Sequence, residues 1–249
     1  MQNYKTVLLV VFFSTASVFI INEAIAQSSA TTEEARYLIN LSETKLSGFG
    51  NTHSEATLVG NRIAYVSGAS GAFLFNYTFY AGIYSLGLES RHLFEDIYPA
   101  THHPDNNVLQ PTHINNRLQF NHGGLMLGYI HNPNKLWHIN TNIKFGRGKI
   151  ALMDKNFNFL DFEQHHRDWV GVITPEVDIE VNLTRWCKLG FSFGYRWVYG
   201  VDNRTYTNAK GKVNQLFNAT DFSSPTFGVK VHFGGFGPRN NGRNNSNGN

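Results

Sequence analysis

The chain has 249 residues, of which 14% are aromatic and only 16% charged, with 23 glycines and a formal charge of +3. So small a charge, carried by scattered basic residues, excludes the electrostatic footprint of a nucleic-acid partner. A lone cysteine, Cys187, excludes an intramolecular disulfide framework, and the wealth of Phe, Tyr and Gly favours sheet over helix.

Residues 1–26 read as a secretory signal: Lys5, an apolar run from Val7 to Ile21, then Ala24-Ile25-Ala26 as the cleavage motif. No later apolar run is long enough for a membrane helix, so further insertion would have to use strands. Residues 27–46 are polar and are expected to form a flexible periplasmic segment. Strands are expected near 47–59, 62–75, 78–89 and 117–131, with Gly60-Asn61 as a turn signal.

The second half is more regular. Trp137, Ile139, Thr141, Ile143 and Phe145 alternate with His138, Asn140, Asn142 and Lys144, a period of two that marks a strand with unlike faces. The same pattern sets Val177, Ile179, Val181 and Leu183 against Glu176, Asp178, Glu180 and Asn182. It recurs with Leu189 to Tyr199 against Lys188, Gly190, Ser192, Gly194 and Arg196, and with Phe227, Val229, Val231 and Phe233 against Gly228, Lys230 and His232. Residues 237–249 form an Asn/Gly-rich tail expected to be disordered.

Connection lengths add an independent signal. Links near 76–77, 132–135 and 184–186 are tight, whereas 90–116, 154–167 and 203–223 are long. Outer-membrane barrels place short turns in the periplasm and long loops outside. The spacing therefore predicts an all-β fold over 47–236, an eight-stranded antiparallel up-and-down transmembrane β-barrel, with Gly60-Asn61 as a short outer hairpin.

A soluble periplasmic lipid-binding barrel would show the same alternation turned inside out. Three features favour lipid outside. Trp137 and Trp186 fall at the periplasmic level and Trp169 and Trp197 toward the outer ends, as an aromatic girdle requires. Glu176, Asp178 and Glu180 share the polar face with Lys144, Arg196 and Lys230 of other strands, and such charges can neutralise one another in a narrow lumen. The tight turn at 184–186 would bring Arg196 level with Glu176 or one step away. Gly190, Gly194 and Gly228 lie on that face too, leaving room for long side chains.

Ser47-Gly48-Phe49-Gly50, the Gly-rich stretch Gly71 to Leu88, Gly123-Gly124 with Leu127-Gly128-Tyr129, Arg196 to Asp202, and Phe227 to Phe233 resemble a family of small, uncharacterised outer-membrane barrels of Bacteroidota. More distantly, the chain is similar to the transmembrane domains of outer-membrane protein X and outer-membrane protein A. The resemblance implies outer-membrane placement and carries no catalytic signature.

An eight-stranded barrel is just wide enough for side chains, which argues against a diffusion pore. Histidines cluster at His102-His103, His113 and His165-His166 on the long links, but no tetrahedral ligand spacing accompanies them, and no metal or cofactor is expected. A lipid-modifying enzyme would draw on His165, His166, Asp161 and Glu163, yet no nucleophile elbow or phosphate-cradling loop is present. The remaining class is recognition: loops 90–116, 154–167 and 203–223 on a rigid scaffold would contact an extracellular ligand or a neighbouring protein, while the strands contact outer-membrane lipid.

Overall fold

The computed structural model describes residues 44–93, 117–153, 164–202, 205–207 and 212–236, the side chains of 164–166 and 207 excepted. The expected signal, the polar segment up to residue 43, the tail, and the candidates His102, His103, His113, Asp161 and Glu163 lie outside the described residues. His165 and His166 are placed only by backbone, on a strand.

Eight long strands close on themselves: β1 (Leu46–Val59), β2 (Arg62–Phe75), β3 (Phe79–Leu88), β4 (Arg117–His131), β5 (Trp137–Met153), β6 (Gln164–Asn182), β7 (Cys187–Tyr199) and β10 (Ser224–Gly234). Each pairs antiparallel with its chain neighbour, and β10 returns to pair with β1, completing the ring. Within the link after β7 a small hairpin, β8 (Thr205–Thr207) with β9 (Val213–Gln215), and one helical turn, α1 (Ala219–Phe222), add elements that strand periodicity does not announce.

Burial alternates along most of β1, β5, β7 and β10, and on β5 it breaks only toward the outer end, where Ile150, Ala151 and Leu152 are all buried at a register shift. On β5, His138, Asn140, Asn142 and Lys144 point inward and are buried, while Trp137, Ile139 and Ile143 face outward. On β2 to β4 the inner face is different: Ala64, Val66, Leu74, Tyr84, Leu86, Phe120, Met126 and Ile130 are buried there. The lumen is thus divided lengthwise, polar along β1, β5, β6, β7 and β10 and mainly apolar along β2 to β4. This is why the first half shows weak polarity alternation: Ile63, Tyr65 and Phe73 face out and apolar residues also face in.

Gly60 closes the β1–β2 turn at φ 60, a left-handed conformation that a Cβ disfavours. Its N–H donates to the carbonyl of Asp221 at 2.6 Å, tying this turn to α1.

Candidate functional site

The polar half of the lumen is organised in three tiers. Nearest the periplasm, Glu180 receives His138 Nε2 at 2.9 Å and Asn140 Nδ2 at 2.6 Å, with Lys188 Nζ at 3.5 Å. In the middle, Lys230 Nζ donates to Glu176 at 2.6 Å and to both oxygens of Asp178 at 2.9 Å, and Lys144 Nζ donates to the other Glu176 oxygen at 2.7 Å. Toward the outside, Arg196 donates to Glu55 and to Thr57 Oγ1, both at 3.2 Å, and through Nε to the Phe222 carbonyl at 3.1 Å.

Four carboxylates (Glu55, Glu176, Asp178, Glu180) thereby meet four cations (Lys144, Lys188, Arg196, Lys230), all buried. Removing ions from water is tolerable only with such pairing and with further hydrogen bonds to the remaining lone pairs. Asn140 and Asn142 supply these to Asp178, each at 3.2 Å.

The structure places the six lumen charges in one interior, with Arg196 one step from Glu176, the second of the two positions expected, and paired elsewhere. Glu176 is taken by Lys144 and Lys230, and β7 sets Gly194 opposite it, so Arg196 lies one step further out, within reach of Glu55 across the β1–β10 pairing. His138, Lys188 and His232, which alternation sets on the polar faces, join this interior, as do Glu55 and His53 of β1, which strand grammar did not announce. The signal in β1 was the alternation Asn51, His53, Glu55, Thr57; it was masked because its lipid-side neighbours Gly50, Thr52, Ser54 and Ala56 are also small or polar.

His53, Glu55 and Glu176 place ligand atoms within 4.8 Å of one another, a donor set that would suit a cation. The ammonium of Lys144 is already there, 3.2 Å from His53 Nδ1 and 2.7 Å from Glu176.

Glycine makes this crowding possible. A Cβ on Gly228 would lie 2.6 Å from Ser192 Oγ and 2.7 Å from His53 Nε2, and one on Gly194 would lie 2.8 Å from Glu176 Cγ.

Above the outer tier, residues 216–223 turn into the barrel. Phe222 is fully buried and packs on Phe120 and Phe217 at centroid distances of 5.2 and 5.5 Å. Asn218 and Asp221 form a capping box on α1, the Asp221 carboxylate accepting the Asn218 N–H at 2.8 Å. Part of the link expected to reach outward is therefore a plug.

Between plug and rim lies a cavity of about 340 Å³. Val59, Leu93, Leu118, Leu216, Phe217 and Phe222 form its walls and floor, and Asn61, Arg62, His92, Tyr206 and Asp221 bring polar groups to it. His92 Nε2 lies 3.0 Å from Ser90 Oγ. Burial, and then the nearby Arg62 guanidinium, holds the His92 imidazole below its usual range.

Outside, Trp137, Trp169 and Trp186 are exposed, Trp169 to 70%, and Trp197 is half-exposed beside Tyr195 at 4.9 Å. Trp186 stacks on Phe233 at 6.0 Å. Between these levels Ile139, Ile143, Ile179, Phe191, Phe193, Phe227 and Val229 are exposed. Such a band on a closed sheet, around a charged interior, has hydrocarbon as its solvent. Among the described residues no helix is long and apolar enough to cross a membrane; the strands do so. An even number of antiparallel strands, tight turns at one end and, the β1–β2 hairpin apart, long links at the other make this an integral outer-membrane β-barrel.

No family model matches the chain, and no curated protein matches it in sequence. Among solved structures it is similar to Neisserial surface protein A, at 7% identity over 76% of this chain and 97% of that one, TM-score 0.45. It is also similar to Ail, the attachment invasion locus protein of Yersinia pestis, at 10% identity over 76% and 97%, TM-score 0.40. A third is a major outer membrane protein from Thermus thermophilus, at 9% identity over 76% and 98%, TM-score 0.42. At these values the likeness is one of fold alone.

Proposed function

We propose that this is a sealed, non-enzymatic outer-membrane barrel whose work is done at its outer face, through contacts of its loops with an extracellular ligand or a neighbouring protein. The observation that carries the reading is the closure of the lumen: three tiers of ion pairs lie beneath a plug anchored by Phe222. A conducting barrel needs a continuous aqueous path, and fixed pairs in a low-dielectric interior resist hydration collectively. In this reading Lys144, Glu176, Asp178, Glu180, Arg196 and Lys230 are a structural lock, and Trp137, Trp169, Trp186 and Trp197 anchor the barrel at the two headgroup levels. No cofactor is required.

The test is conductance in planar bilayers. The wild-type protein is expected to give none, and steady single-channel openings would overturn the proposal. Crosslinking and affinity purification from native membranes, compared with variants lacking one outer loop, would identify the contact and the loop that makes it.

A further inference from the structure

We propose that the cavity at the outer mouth is a binding site for a small single-chain amphiphile with an anionic head, such as a medium-chain carboxylate. The inference rests on the sealed lumen proposed above, because the cavity is a site only if its floor is closed. That floor is Phe222 and Leu118, both buried, with the Arg196 tier beneath them. A blind apolar recess of about 340 Å³ lies at the small end of the range of ligand pockets. It takes one chain of moderate length and is too small for a phospholipid or a many-chained glycolipid.

The head group follows from the charges around the recess. Asp221 turns its carboxylate to the Asn218 N–H, and His92 is turned to Ser90, with burial and Arg62 both disfavouring its charged form. Arg62, exposed at the rim, is the one cation among the described lining residues, and a guanidinium matches a carboxylate in geometry and charge. Chain in the recess and carboxylate at Arg62 satisfy both parts at once. The ligand arrives from the external medium, since the β1–β2 turn, the segment after β3, β4 and the plug all border the cavity.

The experiment uses the full-length protein in lipid nanodiscs, titrated with decanoate, decanol and decylamine, with protein-free nanodiscs as the partition baseline. Saturable binding of one decanoate per barrel is expected, with decylamine much weaker. Arg62→Gln should weaken decanoate about tenfold and leave decanol nearly unchanged. Leu118→Trp should abolish both by filling the recess, with Val59→Phe as a second filling variant should the first fail to insert. Absence of saturable decanoate binding, preference for decylamine, or binding indifferent to both filling variants overturns the inference. So does binding that emerges only when residues 96–112 are deleted, which would assign the recess to the protein's own loop. Conductance of the same samples separates the two readings: a silent barrel that ignores decanoate refutes this site alone, whereas a conducting one refutes the seal.

Discussion

Arg196 is a long cation with no exposed surface, held by Glu55, Thr57 and the Phe222 carbonyl. Removing one partner of a buried pair leaves a charge with neither water nor counterion, at a cost of about 3–5 kcal/mol, whereas replacing both by apolar groups is often neutral. Glu55→Ala is therefore expected to lower stability by about that amount in urea titrations of the vesicle-inserted protein, and Glu55→Leu with Arg196→Met to recover most of it. If the single and double variants lose equally, the pair is not what holds this tier. At Gly228 the limit is space: Ser192 Oγ, His53 Nε2 and the Ser54 carbonyl stand within 3.0 Å of where a Cβ would go. Gly228→Ala should cost about 1–3 kcal/mol by overpacking, measured in the same titration.

Among the elements, the plug after β9 departs furthest from what strand grammar conveys. It has no period to read, since α1 is a single turn, and its inward course is fixed by contacts distant in sequence: Gly60 to Asp221, Arg196 to Phe222, and Phe222 on Phe120. The strands β5, β6, β7 and β10 were legible because hydrocarbon on one side and ion pairs on the other force opposite polarity at successive residues. On β2 and β3 both sides of the sheet are apolar or small, so alternation survives only as turn spacing. Lys144, Glu176, Asp178, Glu180 and Lys230 could be recognised as co-facing because each sits between lipid-side neighbours. The partner of Arg196 could not, because Glu55 lies on β1, where small and polar residues on the lipid side hide the alternation. Phe222→Ala is expected to cost about 3 kcal/mol as a cavity mutation without opening a conducting path, because the Arg196 and Lys230 tiers remain beneath it. Planar-bilayer recordings check the second part, and currents from this variant alone would show that the plug is the only barrier.

For the molecule as a whole, the solvent is a bilayer on the outside and a fixed set of dipoles and charges within. Val229, mid-strand on β10 and exposed beside Phe191, should tolerate arginine poorly, at about 2–4 kcal/mol, whereas Trp137→Arg at the periplasmic end should cost about 0–1 kcal/mol for the charge itself. Urea titrations in vesicles measure both, and equal penalties would contradict the assigned depth.

The ring closes where the first strand meets the last, and the outer-tier ion pair together with an inner hydrogen bond straddles that join. Glu55 on β1 waits for Arg196 on β7, and the His53 imidazole on β1 meets Lys144 from the far wall. A sheet not yet closed at β1 would leave Glu55 and Arg196 without each other, a cost that closure removes. The outermost ion pair, Arg196 with Glu55, should consequently form only when the final strand zips onto the first, whereas the pairs among β5, β6, β7 and β10 can form before the ring closes.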